Sequence, residues 1–402
     1  MKEVSFIHTA DLHLDSPFVG LKNLPSALYE RMKESTFSAF RNLVQYAIEK
    51  RVDFILISGD LYDGEDRSIR AQLRFKREME KLHNANIRVF VIHGNHDFLN
   101  GSWTQIKMPD NVHIFKPEPE AVEFNLENGT HVSVAGFSYA KRHEMDHKLS
   151  QFPTIKADLK IGMLHGHDGT ATDHLAYAPF RISDLLTLSY DYWALGHIHT
   201  RKVLHEEPYI IYPGNIQGRH VNERGEKGFY HVTWTPTNQE AHFVSCQDIE
   251  WRKETLIVSE TNEPDELVQS WHQILNQIEQ ETDRAFVRLE LEYKGEPFAS
   301  TKQFIESGHF LEVLQEEDIL DEESFVWVNE VRVNEVPSEK GLTDHPFLTC
   351  LKEVMEQEHL PNELDTLLHH KKASRFLQEI PQLELEEIKK EAMKVLLQSL
   401  HS

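Results

Sequence analysis

Along the first 250 residues, short runs of β-branched and aliphatic side chains alternate with stretches in which apolar residues recur every three or four positions, as in an α/β domain. The short runs predict strands at Val4–His8, Phe54–Ser58, Val89–His93, His131–Phe137, Leu159–Leu164, Asp191–Leu195, Tyr209–Tyr212 and Phe229–Thr233. Two amphipathic helices stand between the first three. Ser26–Lys50 carries Leu28, Met32, Phe37, Phe40, Leu43, Val44 and Ala47 at roughly helical spacing, and Ser68–Leu82 carries Leu73, Phe75, Met79 and Leu82. Each precedes a strand, which sets a strand–helix–strand rhythm.

The pattern changes near Cys246. Pro264–Glu281 reads as an amphipathic helix with Leu267, Trp271, Ile274, Leu275 and Ile278, while Ala285–Tyr293 and Phe325–Val333 largely alternate apolar with polar positions. This stretch predicts a small α+β domain. After Val336-Pro-Ser-Glu-Lys-Gly the chain turns acidic and helical, broken by Pro361 and Pro381. Its last segment, Leu383–Leu400, has an apolar stripe of Leu385, Ile388, Ala392, Val395, Leu396 and Leu400. The expected division is therefore 1–245, 246–336 and 337–402, without internal repeats or low-complexity tracts.

A length of 402 residues exceeds the usual size of one hydrophobic core and agrees with that division. No apolar run approaches the roughly 20 residues of a membrane helix. The N-terminus lacks the apolar core of a signal peptide, so a cytoplasmic location is expected. Cys246 and Cys350 are too few for a disulfide framework. The formal charge of −24 opposes a protein that coats nucleic acid electrostatically. However, residues 251–402 hold 15 of the 42 basic and 33 of the 66 acidic side chains, so −18 of that charge lies outside the α/β part.

The chemistry sits after the strands. Asp11-Leu-His13 follows the first, and a period of two there would put both side chains on one side of the backbone. Gly59-Asp60-Leu-Tyr-Asp63 follows the second, Gly94-Asn95-His96-Asp97 the third, and His165-Gly166 and Gly196-His197-Ile-His199 two later ones. Parallel sheets gather their sites at this edge, so five motifs spread over nearly 190 residues can converge. Each motif alone is weak, because a strand-end His is more often a satisfied polar residue and Asn-Gly pairs favour turns. Their shared placement after strands is the stronger signal. Carboxylates, an amide oxygen and imidazoles without thiolates favour manganese, iron or zinc. Seven ligands exceed what one ion takes, so two ions about 3.5–4 Å apart are implied, bridged by a carboxylate.

In this order, the motifs resemble the calcineurin-like metallophosphoesterases. The opening Thr9-Ala-Asp-Leu-His-Leu-Asp15 and the later Tyr212-Pro-Gly-Asn-Ile-Gln-Gly-Arg219 are similar to SbcD-type DNA repair exonucleases, nearest to the YhaO-like branch from bacilli. The likeness covers about residues 1–235 strongly, and the remainder only in layout. It implies a four-layer α/β/β/α metallophosphoesterase sandwich with a smaller α+β capping domain and C-terminal helices. It also implies that Asp11, His13, Asp60 and His199 hold one metal, and that Asp60, Asn95, His165 and His197 hold the other. His96 corresponds to the family's catalytic histidine at the scissile phosphate, and Asp97 is expected to orient it.

The resemblance further implies two manganese ions and a DNA substrate cut as an exonuclease and endonuclease. An SbcC-like coiled-coil ABC-type ATPase partner and a homodimer are expected with it. Asp63 stands where some relatives carry His and is left outside the ligand set. His167 competes with His165 as a ligand, and His93 reads as a strand residue. Asn215 replaces a common Ser. Two rivals remain: a phosphatase or phosphodiesterase for a small molecule using the same ligands, favoured by the acidity, and a non-catalytic scaffold, opposed by the intact ligand set. Phe18, Phe98, Trp103 and Tyr139 lie near the motifs and either stack on bases or belong to the core.

Overall fold

The computed structural model describes residues 3–18, 24–63, 68–101, 104, 106–142, 144, 148–168, 179–316 and 323–334, with 388, 389 and 392. The expectations for 337–402 therefore fall almost wholly outside the described residues, as do Trp103 and Cys350. Among the described residues no helix is long and apolar enough to cross a membrane.

Three parallel strands begin the fold: β1 (Val4–Thr9), β2 (Phe54–Ser58) and β3 (Arg88–Ile92). They are joined by α1 (Ser26–Lys50) and α2 (Ile69–Asn84). The Ser68 hydroxyl caps α2 by accepting the Ala71 N–H at 2.9 Å. Then follow β4 (Val112–Ile114), β5 (Glu120–Asn125), β6 (His131–Gly136), β7 (Leu159–His165), α3 (Ile182–Thr187), β8 (Tyr192–Gly196), β9 (Lys202–Glu206), β10 (Tyr209–Tyr212), β11 (Gly228–Thr235) and β12 (Asn238–Ser245). They assemble two six-stranded sheets, ordered β12-β11-β1-β2-β3-β4 and β5-β6-β7-β8-β10-β9.

Side-chain alternation along each strand sets the layers. Ile7, Ile55, Ile57, Val89 and Val91 point from the first sheet to Phe37, Phe40, Leu43, Phe75 and Met79 of the two helices. Their neighbours Phe6, Phe54, Leu56, Phe90 and Ile92 point the other way and meet Val134, Ile161, Met163, Tyr192 and Ala194 of the second sheet. Phe137, Leu164, Trp193 and Leu195 then face Phe152, Phe180, Leu185 and Tyr190 beyond the second sheet. The result is an α/β/β/α sandwich whose fourth layer, among the described residues, holds the short α3 and a 3₁₀ turn at Lys148–Gln151. Strands covered on both faces read as continuous apolar runs, which is why they stand out in the sequence.

Beyond these lie β13 (Glu250–Ser259), α4 (Pro264–Glu281), β14 (Arg284–Lys294), α5 (Ala299–Glu306), α6 (His309–Glu316) and β15 (Phe325–Asn334), with strand order β13-β14-β15. The chain divides into two compact units. Of the described residues, one holds those within 1–252, 274–287 and 315–329, and the other those within 253–273, 288–314 and 330–334. Within the first, Trp251, Phe286, Phe325 and Trp327 form an aromatic cluster with Phe18, Leu28 and Met32. Within the second, Lys253 and Asn334 both reach the Glu290 carboxylate, at 2.6 and 2.7 Å.

Candidate metal centre

The five motifs meet at the C-terminal ends of β1, β2, β3, β7 and β8. Backbone hydrogen bonds lock the first two loops together: Asp11 N–H to Gly59 O at 3.1 Å, His13 N–H to Asp60 O at 3.0 Å, and Leu14 N–H to Leu61 O at 2.9 Å. Asp11, His13, Asp60 and His197 all have positive φ, at 51°, 41°, 49° and 102°. Each such non-glycine residue costs on the order of 1–3 kcal/mol, so the surrounding hydrogen bonds must over-determine this edge. Asp11 and His13 therefore do not converge by simple strand alternation, as their spacing predicts; a left-handed turn at each residue aims them. Glycine is required at two close approaches. A Cβ on Gly196 would lie 1.8 Å from Ser58 O, where the two sheets nearly touch, and one on Gly59 (φ 93°) would lie 2.2 Å from His165 Nδ1.

All seven expected ligands come together. Ligand atoms of Asp11, His13 and His199 lie within 4.8 Å of one another, as do those of Asp11, Asp60 and His165. Asp60 Oδ2 sits between the groups, 3.9 Å from His13 Nε2 and 3.4 Å from His165 Nε2. The Asn95 amide oxygen lies 3.0 Å from His165 Nε2 and 3.3 Å from His197 Nδ1. His165 Nδ1 is 2.9 Å from Ser58 O, so its hydrogen is donated there and Nε2 is left to face the centre. The ring of His167 lies 6.2 Å from that of His197.

The donor set fits a pair of divalent cations. His13 Nε2 and His199 Nε2 face each other at 3.1 Å, a separation that two ligands of one ion can share. Electrostatics agree. Burial raises the Asp11 carboxyl to about 8, against the opposing pull of His165. Burial also raises the Asp60 carboxyl, but His165 and His96 outweigh it and hold Asp60 well below its usual range. Burial lowers the His165 imidazolium, yet Asp60 and Asp11 bring it to about 9. Burial keeps His199 neutral, at about 4, despite Glu223. A site that balances buried carboxylates with imidazole protons exchanges those protons for metal charge.

Behind the ligands the structure reassigns one role. Asp97 does not serve as the support of His96 that the sequence suggests: its carboxylate takes His93 Nδ1 at 2.7 Å, Gly94 N–H at 2.7 Å and Leu61 N–H at 2.9 Å. It staples the second loop to the third. His96 Nδ1 instead meets Asp63 Oδ1 at 3.2 Å. Burial pushes Asp63 up, but Arg219 and His13 keep it ionised. His93, at the end of its strand, is thus a structural partner of Asp97.

Two residues escaped the sequence reading: Glu223, 2.6 Å from His199 Nδ1, and Arg219 in its role as partner of Asp63 at 3.1 Å. Glu223 follows no strand and belongs to no metal-ligand spacing. The only signal was the Tyr212–Arg219 motif, which stops four residues short of it. Of the aromatics, Phe18 and Tyr139 are core, the latter donating its hydroxyl to His165 O at 2.8 Å, and Phe98 packs against the cluster beyond the second sheet.

Residues 4–201 match the family model of the calcineurin-like phosphoesterases. The chain is 39% identical to the metallophosphoesterase YhaO of Bacillus subtilis over 400 residues, 98% of each chain. It is 23% identical over 381 residues to the DNA double-strand break repair protein Mre11 of Methanocaldococcus jannaschii, covering 90% of this chain and 97% of that one. A third relative, Mre11 of Thermoplasma acidophilum, is 27% identical over 222 residues, 53% of this chain and 57% of the relative. With its sandwich, its strand-end ligands and these matches, the chain belongs to the calcineurin-like metallophosphoesterase family and is a metal-dependent hydrolase.

Proposed function

We propose that the protein hydrolyses phosphodiester bonds in DNA with two manganese ions bound at this centre. Asp11, His13, Asp60 and His199 would hold one ion, and Asp60, Asn95, His165 and His197 the other, with Asp60 between them. Bound there, such ions would supply a water of lowered pKa and positive charge against the phosphoryl transition state. His96, whose ring is held by Asp63, would touch a phosphate oxygen and give a proton to the leaving oxygen. Burial lowers His96, but Asp60 and Asp63 outweigh it and raise it above its ordinary value, which favours the protonated form that an acid needs. The observation that carries the DNA reading is the likeness to a DNA break-repair protein along 97% of that protein's length, well beyond the metal-binding part. The same reading brings a coiled-coil ATPase partner contacted by residues 337–402, an element that failure to co-purify would remove.

The net charge of −24 favours a second reading, a phosphodiesterase for a small molecule at the same site. The test is manganese-dependent release of nucleotides from linear duplex DNA, with His96→Ala and Asp60→Ala in parallel. Digestion abolished in both variants is the expected result. Intact DNA together with hydrolysis of bis-p-nitrophenyl phosphate would keep the site and favour the small substrate.

A further inference from the structure

The segment from Tyr212 to Glu223 contributes no metal ligand, yet it closes beside the centre with Asn215, Gln217, Arg219 and Glu223 all buried. Four hydrogen-bond partners converge on the Glu223 carboxylate. His199 Nδ1 at 2.6 Å and Arg219 Nη2 at 3.3 Å meet Oε1, while Asn215 Nδ2 and the Arg219 N–H, each at 2.8 Å, meet Oε2. His220 Nε2 approaches Oε1 at 3.6 Å. The other arm of Arg219 donates to Asp63 Oδ2 at 3.1 Å, and Asp63 Oδ1 faces His96. Ser16 Oγ donates to the same Oδ2 at 2.7 Å, and His13 Nδ1 lies 3.6 Å from Oδ1.

We propose that Glu223 is a positioning residue of the metal centre. By accepting the Nδ1 hydrogen of His199 it fixes the tautomer and turns Nε2 toward His13 and Asp11. Through Arg219 it shares one buried charge network with Asp63, so the ligand His199 and the phosphate-facing His96 are set together. The plain alternative is a structural staple for the loop. Yet a buried ion cluster is weak evidence of net stability, and this one commits a carboxylate oxygen to the outer nitrogen of a ligand. Since the groups facing the Glu223 carboxylate are donors, a carboxamide there must turn its NH2 against one of them.

The inference rests on the two-metal reading of the centre, and the experiment separates the two. Cobalt(II) is titrated into the full-length protein and followed by its visible absorbance, for wild type, Glu223→Gln, Glu223→Ala, His199→Ala and the His199→Ala/Glu223→Gln double variant. Wild type is expected to bind two ions. Glu223→Gln should weaken one of them about tenfold and Glu223→Ala about 10–100-fold, the other ion changing less than about twofold. In the His199→Ala background Glu223→Gln should add nothing, because its effect passes through that ring. If Glu223→Ala does not fold, the near-isosteric Gln variant decides alone. Equal weakening of both ions, wild-type affinity in Glu223→Gln, or additive losses in the double variant would overturn the proposal. Fewer than two ions in wild type would overturn the two-metal reading and this inference with it. For the Asp63 link, Arg219→Lys keeps the charge and loses the fork. It should retain both ions and lower kcat for bis-p-nitrophenyl phosphate severalfold at constant KM; an unchanged kcat would remove the link.

Discussion

His8 and His165 are equally sealed from solvent, 0% and 1% exposed, yet they live in opposite electrostatic worlds. His8 lies buried between the sheets. Its Nε2–H donates to Leu195 O at 3.0 Å and its Nδ1 accepts the Tyr192 hydroxyl at 2.9 Å, and burial drives its pKa to about 3. His165, at the strand edge, is also lowered by burial, but Asp60 and Asp11 reverse the sign and carry it to about 9. Burial alone therefore makes a structural histidine. Convergent carboxylates at positive-φ turns make a site.

The comparison breaks most sharply at Asp60. Asp60→Ala removes the carboxylate proposed to lie between the two ions, and phosphodiester hydrolysis should fall at least about 10⁴-fold, several kcal/mol of transition-state stabilisation. Steady-state rates on bis-p-nitrophenyl phosphate check this. On the structural side, His8 has a folded pKa near 3 against an ordinary value of 6.5. Below pH 6.5 the unfolded chain binds the proton that the folded chain refuses, so stability is lost as pH falls from about 6.5 to about 3. Chemical denaturation of wild type against His8→Gln should show a difference on the order of 4 kcal/mol across that window, with no pH-dependent difference above it.

His96→Ala should cost about 10²-fold in rate while both ions still bind, because it removes proton transfer and leaves the ligands. Metal analysis beside kinetics separates the two losses. The smallest effect is on metal affinity. With His165 protonated up to about pH 9 and Asp11 up to about pH 8, bound ions must displace those protons, so apparent affinity should rise about tenfold per pH unit between about 8 and 9 and more steeply below. Isothermal titration in buffers of different ionisation enthalpy measures the proton release. Affinity that is flat with pH would mean that the two histidines do not differ as described.

The eight strands read from the sequence are interior strands of the two large sheets, where both faces are covered and the apolar run is continuous. The four passed over, β4, β5, β9 and β12, are the four edge strands. Edges face water, carry charges such as Glu120, Glu123, Lys202 and Glu206, and lose the alternation that betrays a strand. Ser26–Lys50 and Pro264–Glu281 were legible to the residue because each buries one face. The candidate ligands were legible for a different reason: each sits at the end of a strand beside a glycine or at a spacing of two. Their supporting shell was not. Glu223 lies 24 residues from His199 along the chain, and His96 takes Asp63 in place of the adjacent Asp97, which turns to His93 instead. Such pairings depend on how loops from different strands cross, which no local pattern encodes.

The most direct test of the account is the number of manganese ions retained per chain after equilibrium dialysis, measured by elemental analysis on wild type and Asp60→Ala. Two ions in wild type and fewer than one in the variant, with hydrolysis lost in step, is the predicted result. Two ions and undiminished hydrolysis in Asp60→Ala would contradict a centre built around that carboxylate.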